Sequence, residues 1–286
     1  AIAAGFFVDT RDFYRRLREM PREERARIAM TPVSFTNALY GNEAEKRTAR
    51  VKARFVNGAM QVSVMGDVMS DTVENGQVVS GVGGQFNFVE QAFALHDARS
   101  IITLPATRWS EGKRHSNIRW SVATTTVPRH MRDVVVTEYG IADLRGRSDA
   151  ETIAALIAIA DSAFQDELID RAQKAGKLPK GFTLPQSARN NWPEAVETWL
   201  APHRAELPDF PFGSDFDEIE RLLLPALEEL SRHAPTLRGK ARLLRDALRL
   251  PPHPREQEAL ARMGFDSRYA GGEALALSGA LRRVVT

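Results

Sequence analysis

Two short stretches of this sequence combine residue types that could take part in catalysis. The first, Ser80–Gln85, contains three glycines and stands between an apolar, strand-like run and a helix-like run that begins at Asn87. Only glycine lets a backbone approach another molecule so closely, and a glycine turn before a helix N-terminus presents N–H groups to an anion or oxyanion. The stretch lacks the spacing of a dinucleotide fingerprint and the lysine of a phosphate loop, so a structural turn is the alternative interpretation.

The second stretch places a carboxylate at the end of an apolar run. Glu138 directly follows Val134–Thr137 and precedes Gly140 by two residues. In open α/β sheets, ligands bind in the crevice outside the carboxyl ends of the strands. Glu138 is therefore a candidate site residue, and a helix cap or an ordinary surface acid is the alternative.

Other chemistries have no support in the sequence. The chain contains no cysteine, which excludes disulfide frameworks, thiol nucleophiles and thiolate metal sites. The six histidines show no metal-ligand spacing, and no serine lies in a nucleophile elbow. We therefore expect no metal site and no serine-hydrolase chemistry.

The composition is typical of a globular protein and does not suggest a nucleic acid or a membrane as partner. Of 286 residues, 43% are hydrophobic and 27% are charged, with a formal net charge of +2. Basic residues alternate with acidic ones and form no stripe interleaved with aromatic residues, so we expect no nucleic-acid partner. No apolar run approaches the roughly 18 to 20 residues that cross a bilayer, and no signal peptide precedes the first charges. We expect a cytoplasmic protein.

Strands and helices alternate around the two candidate stretches. Ser148 and Glu151 form a capping box that predicts a helix after the last strand, whereas residues 31–40 and 108–114 are predicted to be extended chain and polar loop. Short apolar strands separated by helices favour an α/β core with a largely buried sheet. The predicted strands are Met60–Val64 (half-buried, with Gln61 and Ser63 outward), Ser100–Leu104, Ile118–Trp120, Thr124–Val127 and Val134–Thr137.

The C-terminal part, residues 215–286, is predicted to be a helical extension. A proline-rich segment, residues 178–214, precedes it and is expected to wrap the core without long helices. The arginines of the extension are interpreted as a solvated basic face. Its apolar residues recur at helical spacing and predict two amphipathic faces, one made of Ile219, Leu222, Leu223 and Leu227 and the other of Leu237, Leu243, Leu244 and Leu248.

Three motifs, taken in order, resemble the C-terminal domain of the acetyl-CoA hydrolase/transferase family, which comprises class I CoA-transferases. They are Ser80–Gln85 followed by Phe88, Ser100–Thr107, and Val135–Gly146. The resemblance covers residues 1 to 175 and assigns residues 1–214, with the proline-rich segment, to that domain. It implies an α/β fold with an open CoA-transferase-like sheet and flanking helices, followed by the helical C-terminal extension.

The resemblance also implies a two-step reaction. In such enzymes a glutamate attacks an acyl-CoA thioester and carries CoA as a glutamyl-CoA thioester before CoA passes to a carboxylate, and each tetrahedral intermediate needs an oxyanion hole. The match assigns the oxyanion donor to Gly84, beside Gly83, and a supporting carboxylate to Glu138. It places Asn37 and Met60 along the path of the CoA pantetheine.

Two departures from the family pattern limit these assignments. The family's nucleophilic glutamate lies in a His-[Ser/Thr]-Glu motif, which does not occur in this chain. We therefore assign no nucleophile and expect a fragment, since the chain opens without Met inside an apolar run. The family lysine that contacts CoA closely follows the Leu-Pro-[Ser/Ala]-Thr segment, and here Arg108 or Lys113 could take its role with CoA phosphates or amides.

The sequence thus predicts the C-terminal half of a CoA-transferase or acyl-CoA hydrolase that is inactive alone. CoA or acyl-CoA would be a substrate and not a tightly bound cofactor. The expected partners are an acetyl-CoA-like thioester, a small carboxylate and the N-terminal half of the same protein, with a homodimer left open. The alternative is a non-catalytic CoA-binding or regulatory module or subunit. Transferase and hydrolase are not distinguished, because the outcome depends on whether water or a carboxylate reaches the thioester.

Overall fold

The computed structural model describes residues 2–73, 75–110, 112–208, 210–211, 213–265 and 271–284, and the chain divides into two compact units. Each unit has a hydrophobic cluster of its own. The first unit comprises Ala1–Asp9, Phe13–Arg108 and Ser116–Pro208; the second comprises Thr10–Asp12, Trp109–His115 and Asp209–Thr286.

Strands and helices alternate through the first unit, and the second unit is mainly helical. Over the described residues the strands are β1 (Ile2–Ala4), β2 (Ile28–Met30), β3 (Arg54–Gly58), β4 (Gln61–Ser63), β5 (Val68–Met69), β6 (Arg99–Thr103), β7 (Thr107–Ser110), β8 (Lys113–Ser116), β9 (Ile118–Arg119), β10 (Val134–Thr137) and β11 (Gly140–Asp143). The α-helices are α1 (Arg11–Glu19), α2 (Arg22–Arg25), α3 (Val33–Asn37), α4 (Glu43–Ala49), α5 (Gln85–Ala94), α6 (Asp149–Ala158), α7 (Ser162–Lys174), α8 (Pro193–Leu200), α9 (Glu218–His233), α10 (Leu237–Arg249), α11 (Glu256–Arg262) and α12 (Gly272–Val284).

The central sheet of the first unit has the strand order β11-β10-β6-β3. Strands β3, β6 and β10 run parallel, with Ile101 opposite both Val56 and Val134, and β11 is antiparallel to β10. Apolar residues of β6 and β10 are buried in one cluster with Ile153 and Leu156 of α6. The parallel strands and their helices confirm an α/β fold. Their carboxyl ends lie at one edge of the sheet, where such folds bind ligands.

A buried carboxylate fixes the opposite, amino edge of this sheet. Asp133, which immediately precedes β10, accepts hydrogen bonds from the Ser100 backbone N–H at 2.7 Å and from Arg99 at 2.8 Å. Arg145, just after β11, donates to the same carboxylate at 2.5 Å. One side chain therefore ties the beginning of β6 and β10 to the end of β11.

A second, three-stranded sheet has the order β5-β4-β9. Its strand β4 was expected to be half-buried, with Gln61 and Ser63 outward, and this is wrong. Both residues are buried, at 3% and 2% exposed, because β4 is the central strand and is covered on both faces. Ser63 is satisfied by donating from Oγ to Asp67 Oδ2 at 2.9 Å.

Three other local predictions also fail. Residues 31–40 contain α3, which begins directly after Pro32, whose φ of −54° already suits a helix start. The polar loop predicted for residues 108–114 is replaced by the paired strands β7 and β8, and residue 111 lies outside the described residues. In Thr124–Val127 only an isolated bridge from Val127 to Val68 forms. Strand β11 was not anticipated.

The helix signals of the first unit are confirmed. Ser148 caps α6, and the reciprocal bonds of the capping box with Glu151 are both present. A helix follows the glycine loop, although it begins at Gln85, two residues earlier than expected. Among its described residues (178–208, 210–211 and 213–214), the proline-rich segment holds one α-helix, the short α8, and two 3-10 turns.

The second unit packs α9, α10 and α11 against α12, a helix that was not predicted. Leu277 and Leu281 of α12 are buried with Leu223 and Leu243. Gly279 of α12 lies directly on α10: a Cβ built there would overlap the Leu243 carbonyl oxygen and lie 2.7 Å from the carbonyl carbon. The two helices approach so closely only because Gly279 has no side chain.

The predicted apolar face of α10 is only partly correct. Leu243 is buried, whereas Leu237, Leu244 and Leu248 are exposed. At 3.6 residues per turn, Leu243 lies about 100–140° around the helix from the other three, which share one face. The buried side of α10 instead holds Leu243 with the smaller Gly239 and Ala247.

Among the described residues, the longest apolar helical stretches are too short or too polar to cross a membrane.

We predict that Gly279→Ala destabilises the second unit by about 1–3 kcal/mol, because the added Cβ must displace the α10 backbone. Gly272→Ala is the matched control, since a Cβ at that position of the same helix meets nothing within 4 Å. Urea unfolding followed by circular dichroism measures both variants. Equal midpoints for the two variants would contradict the close packing of α12 on α10.

Candidate active site

The glycine loop meets the carboxyl edge of the central sheet through α5. Gly84 is the N-cap residue of α5, and Gly83 has a φ of +59°, in the left-handed region that favours glycine. Gln85, the first helical residue, donates from Nε2 to the Gly58 carbonyl oxygen at 2.8 Å. Because Gly58 ends β3, this bond holds the helix N-terminus at the carboxyl end of a parallel strand.

Asn37 lies directly against the loop. A Cβ built on Gly84 would overlap Asn37 Nδ2 and lie 2.6 Å from Asn37 Cγ. The φ of Gly84 is an ordinary −93°, so the position requires glycine for close approach and not for its backbone angle. Asn37, Gly83 and Gly84 line one open cavity of about 770 Å³ together with Phe6 and Phe88. Three predicted site residues are therefore brought together.

A buried polar network holds Asn37 in this place. The Asn37 carbonyl oxygen accepts a short hydrogen bond from Gln91 Nε2 on α5, and Gln91 Oε1 accepts a short one from Arg50. Arg50 also donates to the Phe35 carbonyl oxygen at 3.4 Å. Because Gln91 is fully buried, these bonds fix α3 against α5 in a setting of low polarity.

Lys46 fixes the chain just after Asn37. Lys46 is 4% exposed, and its ammonium group donates to the carbonyl oxygens of Ala38 (2.8 Å) and Tyr40 (3.0 Å) and lies 4.6 Å from the centre of the Phe35 ring. Burial, with a smaller contribution from the Arg50 charge, lowers the pKa of Lys46 from its ordinary value of 10.5. Nothing in the sequence signalled this role, since a lysine in a highly charged stretch is typical of a solvated surface.

Glu138 lies in the tight turn between β10 and β11, where Thr137 pairs with Gly140. Its Oε2 accepts a hydrogen bond from the Ala106 backbone N–H at 2.8 Å, and Ala106 follows β6. Thr137 Oγ1 donates to the Ile159 carbonyl oxygen at 2.7 Å, which holds the turn on the core. The Glu138 carboxylate is exposed and joins the carboxyl ends of β10 and β6.

The other residues predicted to contact CoA, which are Met60, Arg108 and Lys113, lie outside the lining of the 770 Å³ cavity. Met60 is half-buried just beyond β3, at the same sheet edge, and is outside the lining of the 770 Å³ cavity. Arg108 is half-buried and donates to Asn117 Oδ1 at 2.9 Å. Lys113 is exposed on β8 and belongs to the second unit, whereas Arg108 belongs to the first.

Several buried polar atoms around the end of β3 lack hydrogen-bond partners within the described part of the chain. They are Asn57 Nδ2, Gln61 Oε1 and Gln85 Oε1. Such atoms are rare in folded proteins, where a water molecule, an ion or another polar group usually satisfies them. The residues that carry them lie on β3, β4 and α5, around the carboxyl end of β3. Within the described ranges, no group of three His, Asp or Glu side chains is arranged to hold a metal ion.

We predict that Gly84→Ala lowers the stability of the first unit by about 1–3 kcal/mol, because the methyl group must displace the Asn37 side chain. Gly81→Ala is the matched control from the same loop, where a Cβ meets nothing within 4 Å. The double variant Asn37→Ala/Gly84→Ala should regain part of the loss, because Cγ and Nδ2 of Asn37 are gone. Strictly additive effects in thermal unfolding would argue against the contact.

We predict that Lys46 makes stability rise with pH on the alkaline side. Since its folded-state pKa lies below 10.5, the unfolded chain binds more protons between the two values, and the free energy of unfolding increases with pH in that window. The stability of the wild type relative to Lys46→Met should therefore rise as the pH approaches 10.5 and stay level near neutrality. Lys180→Met, at an exposed lysine, controls for overall charge. A difference that is constant over this range would refute the burial effect.

Curated relatives of the chain carry CoA-transferase names. The chain is 40% identical over 122 residues to the probable butyrate:acetyl-CoA coenzyme A-transferase of Syntrophomonas wolfei and 33% identical over 185 residues to the butyryl-CoA:acetate CoA-transferase of Anaerostipes caccae. These matches cover 42% and 61% of this chain and 27% and 37% of the relatives. The chain therefore spans well under half the length of the relatives it matches.

A solved structure and a family model agree with these relatives. The structure of a RipA mutant matches with a TM-score of 0.52 at 28% identity, covering 61% of this chain and 37% of that one. The model of the acetyl-CoA hydrolase/transferase C-terminal domain matches residues 10–172. Because this match takes in more than half of the chain, the protein belongs to the acetyl-CoA hydrolase/transferase C-terminal domain family.

Proposed function

We propose that this chain is the C-terminal, CoA-holding half of an enzyme that moves CoA between an acetyl-CoA-like thioester and a small carboxylate. The observation that carries the proposal is the meeting of Asn37, Gly83 and Gly84 around one cavity, with α5 tied to the carboxyl end of β3. Membership of the family supports CoA chemistry at this cavity, and we propose that the sheet is of the open CoA-transferase-like type.

The N-terminus of α5 is suited to stabilise an oxyanion. The first N–H groups of a helix have no partner within the helix and lie at the positive end of its dipole. Because Gly84 has no side chain, the Asn37 amide lies directly beside it, and both residues line the cavity at this helix end. We assign the oxyanion donor to the Gly84 N–H, where negative charge develops as the thioester carbonyl is attacked.

Glu138 is proposed as the supporting carboxylate. The hydrogen bond from the Ala106 N–H orients one of its oxygens, and the tight β10–β11 turn limits the movement of its backbone. A carboxylate held in this way at the sheet edge can orient the attacking group electrostatically.

The nucleophile is proposed to be a glutamate of an N-terminal half that docks across this edge. Its carboxylate oxygen attacks the thioester carbonyl carbon, and the C–S bond breaks to release CoA thiolate and leave a mixed anhydride. The thiolate then attacks the glutamyl carbonyl carbon, which releases the acyl group as a carboxylate and leaves glutamyl-CoA. The same two steps in reverse deliver CoA to the acceptor carboxylate, whereas water at the thioester would make the enzyme a hydrolase.

The pantetheine arm is proposed to pass Asn37 and Met60. Pantetheine contains amides, which both donate and accept hydrogen bonds, and the side-chain amide of Asn37, on the cavity wall, can do the same. Met60 offers an apolar contact to the methylene groups. Arg108 or Lys113 is proposed for the CoA phosphates. The location is proposed to be cytoplasmic, where acyl-CoA is available, and a homodimer is an additional proposed assembly.

We predict that the isolated chain binds CoA and does not exchange thioesters. Isothermal titration calorimetry should give a CoA affinity that Gly84→Val weakens by about tenfold or more, because the valine side chain must displace Asn37 from its place beside the helix N-terminus. Gly81→Val is the matched control, and circular dichroism verifies that both variants are folded. An exchange assay with acetyl-CoA and propionate should show no turnover.

Each outcome has a distinct meaning. Turnover like that of a complete enzyme would disprove a nucleophile outside this chain, and an absence of CoA binding would disprove the CoA-holding role. CoA binding that persists unchanged in Gly84→Val would place the ligand away from the glycine loop. Arg108→Gln and Lys113→Gln, titrated separately, then identify the phosphate contact.

A further inference from the structure

The outer face of α10 carries an apolar stripe that the second unit does not bury. Leu237, Ala241, Leu244 and Leu248 are all exposed, and Leu237 and Leu248 are 86% and 80% exposed. Scattered exposed leucines are ordinary, but four apolar residues in line on one helix face are not. We call these four residues the outer stripe.

The spacing of the outer stripe is that of a coiled-coil seam. Its members follow one another at intervals of four, three and four residues, as d, a, d and a positions of a heptad do. Such a seam is stable when a second helix covers it, because each apolar side chain then packs between four of the partner. Leu244 and Lys240 also line a cavity of about 610 Å³ between α9, α10 and α12, which offers space for a partner side chain.

The flanks of the outer stripe are basic. In the heptad frame, Arg238 and Arg245 occupy e positions and Lys240 occupies a g position, which are the places where neighbouring helices exchange ion pairs. All three side chains are exposed. The acid of α10, Asp246, is buried and accepts hydrogen bonds from Arg245 and Arg283, so within this helix it offsets part of the Arg245 charge and leaves the charges of Arg238 and Lys240 on the outer face.

We propose that the outer stripe docks an amphipathic helix of a partner protein that carries apolar a and d residues and Glu or Asp at e and g. Opposite charge on the flanks would attract such a helix. A second copy of α10 would instead bring cations against cations, which disfavours self-pairing. A membrane surface is a poorer fit, because α10 has no aromatic residue to anchor it at a lipid interface. This surface lies outside residues 10–172 and is independent of the proposed CoA chemistry.

The test uses the full chain and two synthetic helical peptides of about three heptads, both with Leu at a and d. One peptide has Glu at e and g, and the other has Lys. Fluorescence anisotropy with labelled peptides should show the Glu peptide binding at least about fivefold more tightly than the Lys peptide, with the difference shrinking as salt is raised.

Variants of the chain then locate the contact. Leu237→Gln/Leu248→Gln should abolish the binding with little effect on folding, since both residues are exposed, and Leu275→Gln, at an exposed leucine of α12, should leave it unchanged. Arg238→Glu/Arg245→Glu should reverse the preference between the peptides.

Three results would overturn the proposal. The first is equal affinity for the two peptides, and the second is peptide binding that survives Leu237→Gln/Leu248→Gln. The third is that neither peptide binds, whereas the chain binds phosphatidylserine vesicles or associates with itself, and Leu237→Gln/Leu248→Gln removes that binding or self-association.

Discussion

The parallel pairing of β3, β6 and β10 is the constraint on which the candidate site depends. With Gly58 opposite Thr103, and Thr103 opposite Val136, the three strands end at the same level of the sheet. Only then can the Gln85 side chain reach the Gly58 carbonyl and the Ala106 N–H reach Glu138. A shift of one residue would turn every side chain to the other face and break both bonds.

A second layer of interactions places α3 over the glycine loop. The Asn37 side chain occupies the space that any Cβ on Gly84 would need. Gln91 donates to the Asn37 carbonyl itself, and Arg50 and Lys46 donate to the backbone carbonyls of Phe35 and Ala38 on either side of it. Burying a cation against carbonyl dipoles is costly unless the geometry is satisfied. Because this cost is avoided only in one geometry, the buried cation favours a single arrangement of the chain next to the proposed ligand.

Features that depend on residues close in sequence were predicted correctly, whereas features that depend on residues distant in sequence were not. The helix after the glycine loop, strand β10 and the capping box at Ser148 depend on neighbouring residues, and all were predicted. Strand β11 and the hairpin of β7 and β8 depend on pairing across turns with weak local signals. The burial of Lys46 and the exposure of Leu237 were not predictable, because both depend on which elements pack against a helix. In the candidate site, Asn37 and Gly84 came from family resemblance, whereas their direct contact came from the structure.

The close crossing of α12 over α10 has a consequence for the shape of the second unit. Because Gly279 lies on the α10 backbone between Leu243 and Ala247, α10 has no room to roll about its own axis. The direction in which the outward side chains of α10 point is therefore fixed by packing in the core, where Gly279 has no Cβ. A surface set in this way loses little conformational freedom on contact with another molecule, so its orientation is fixed before any encounter.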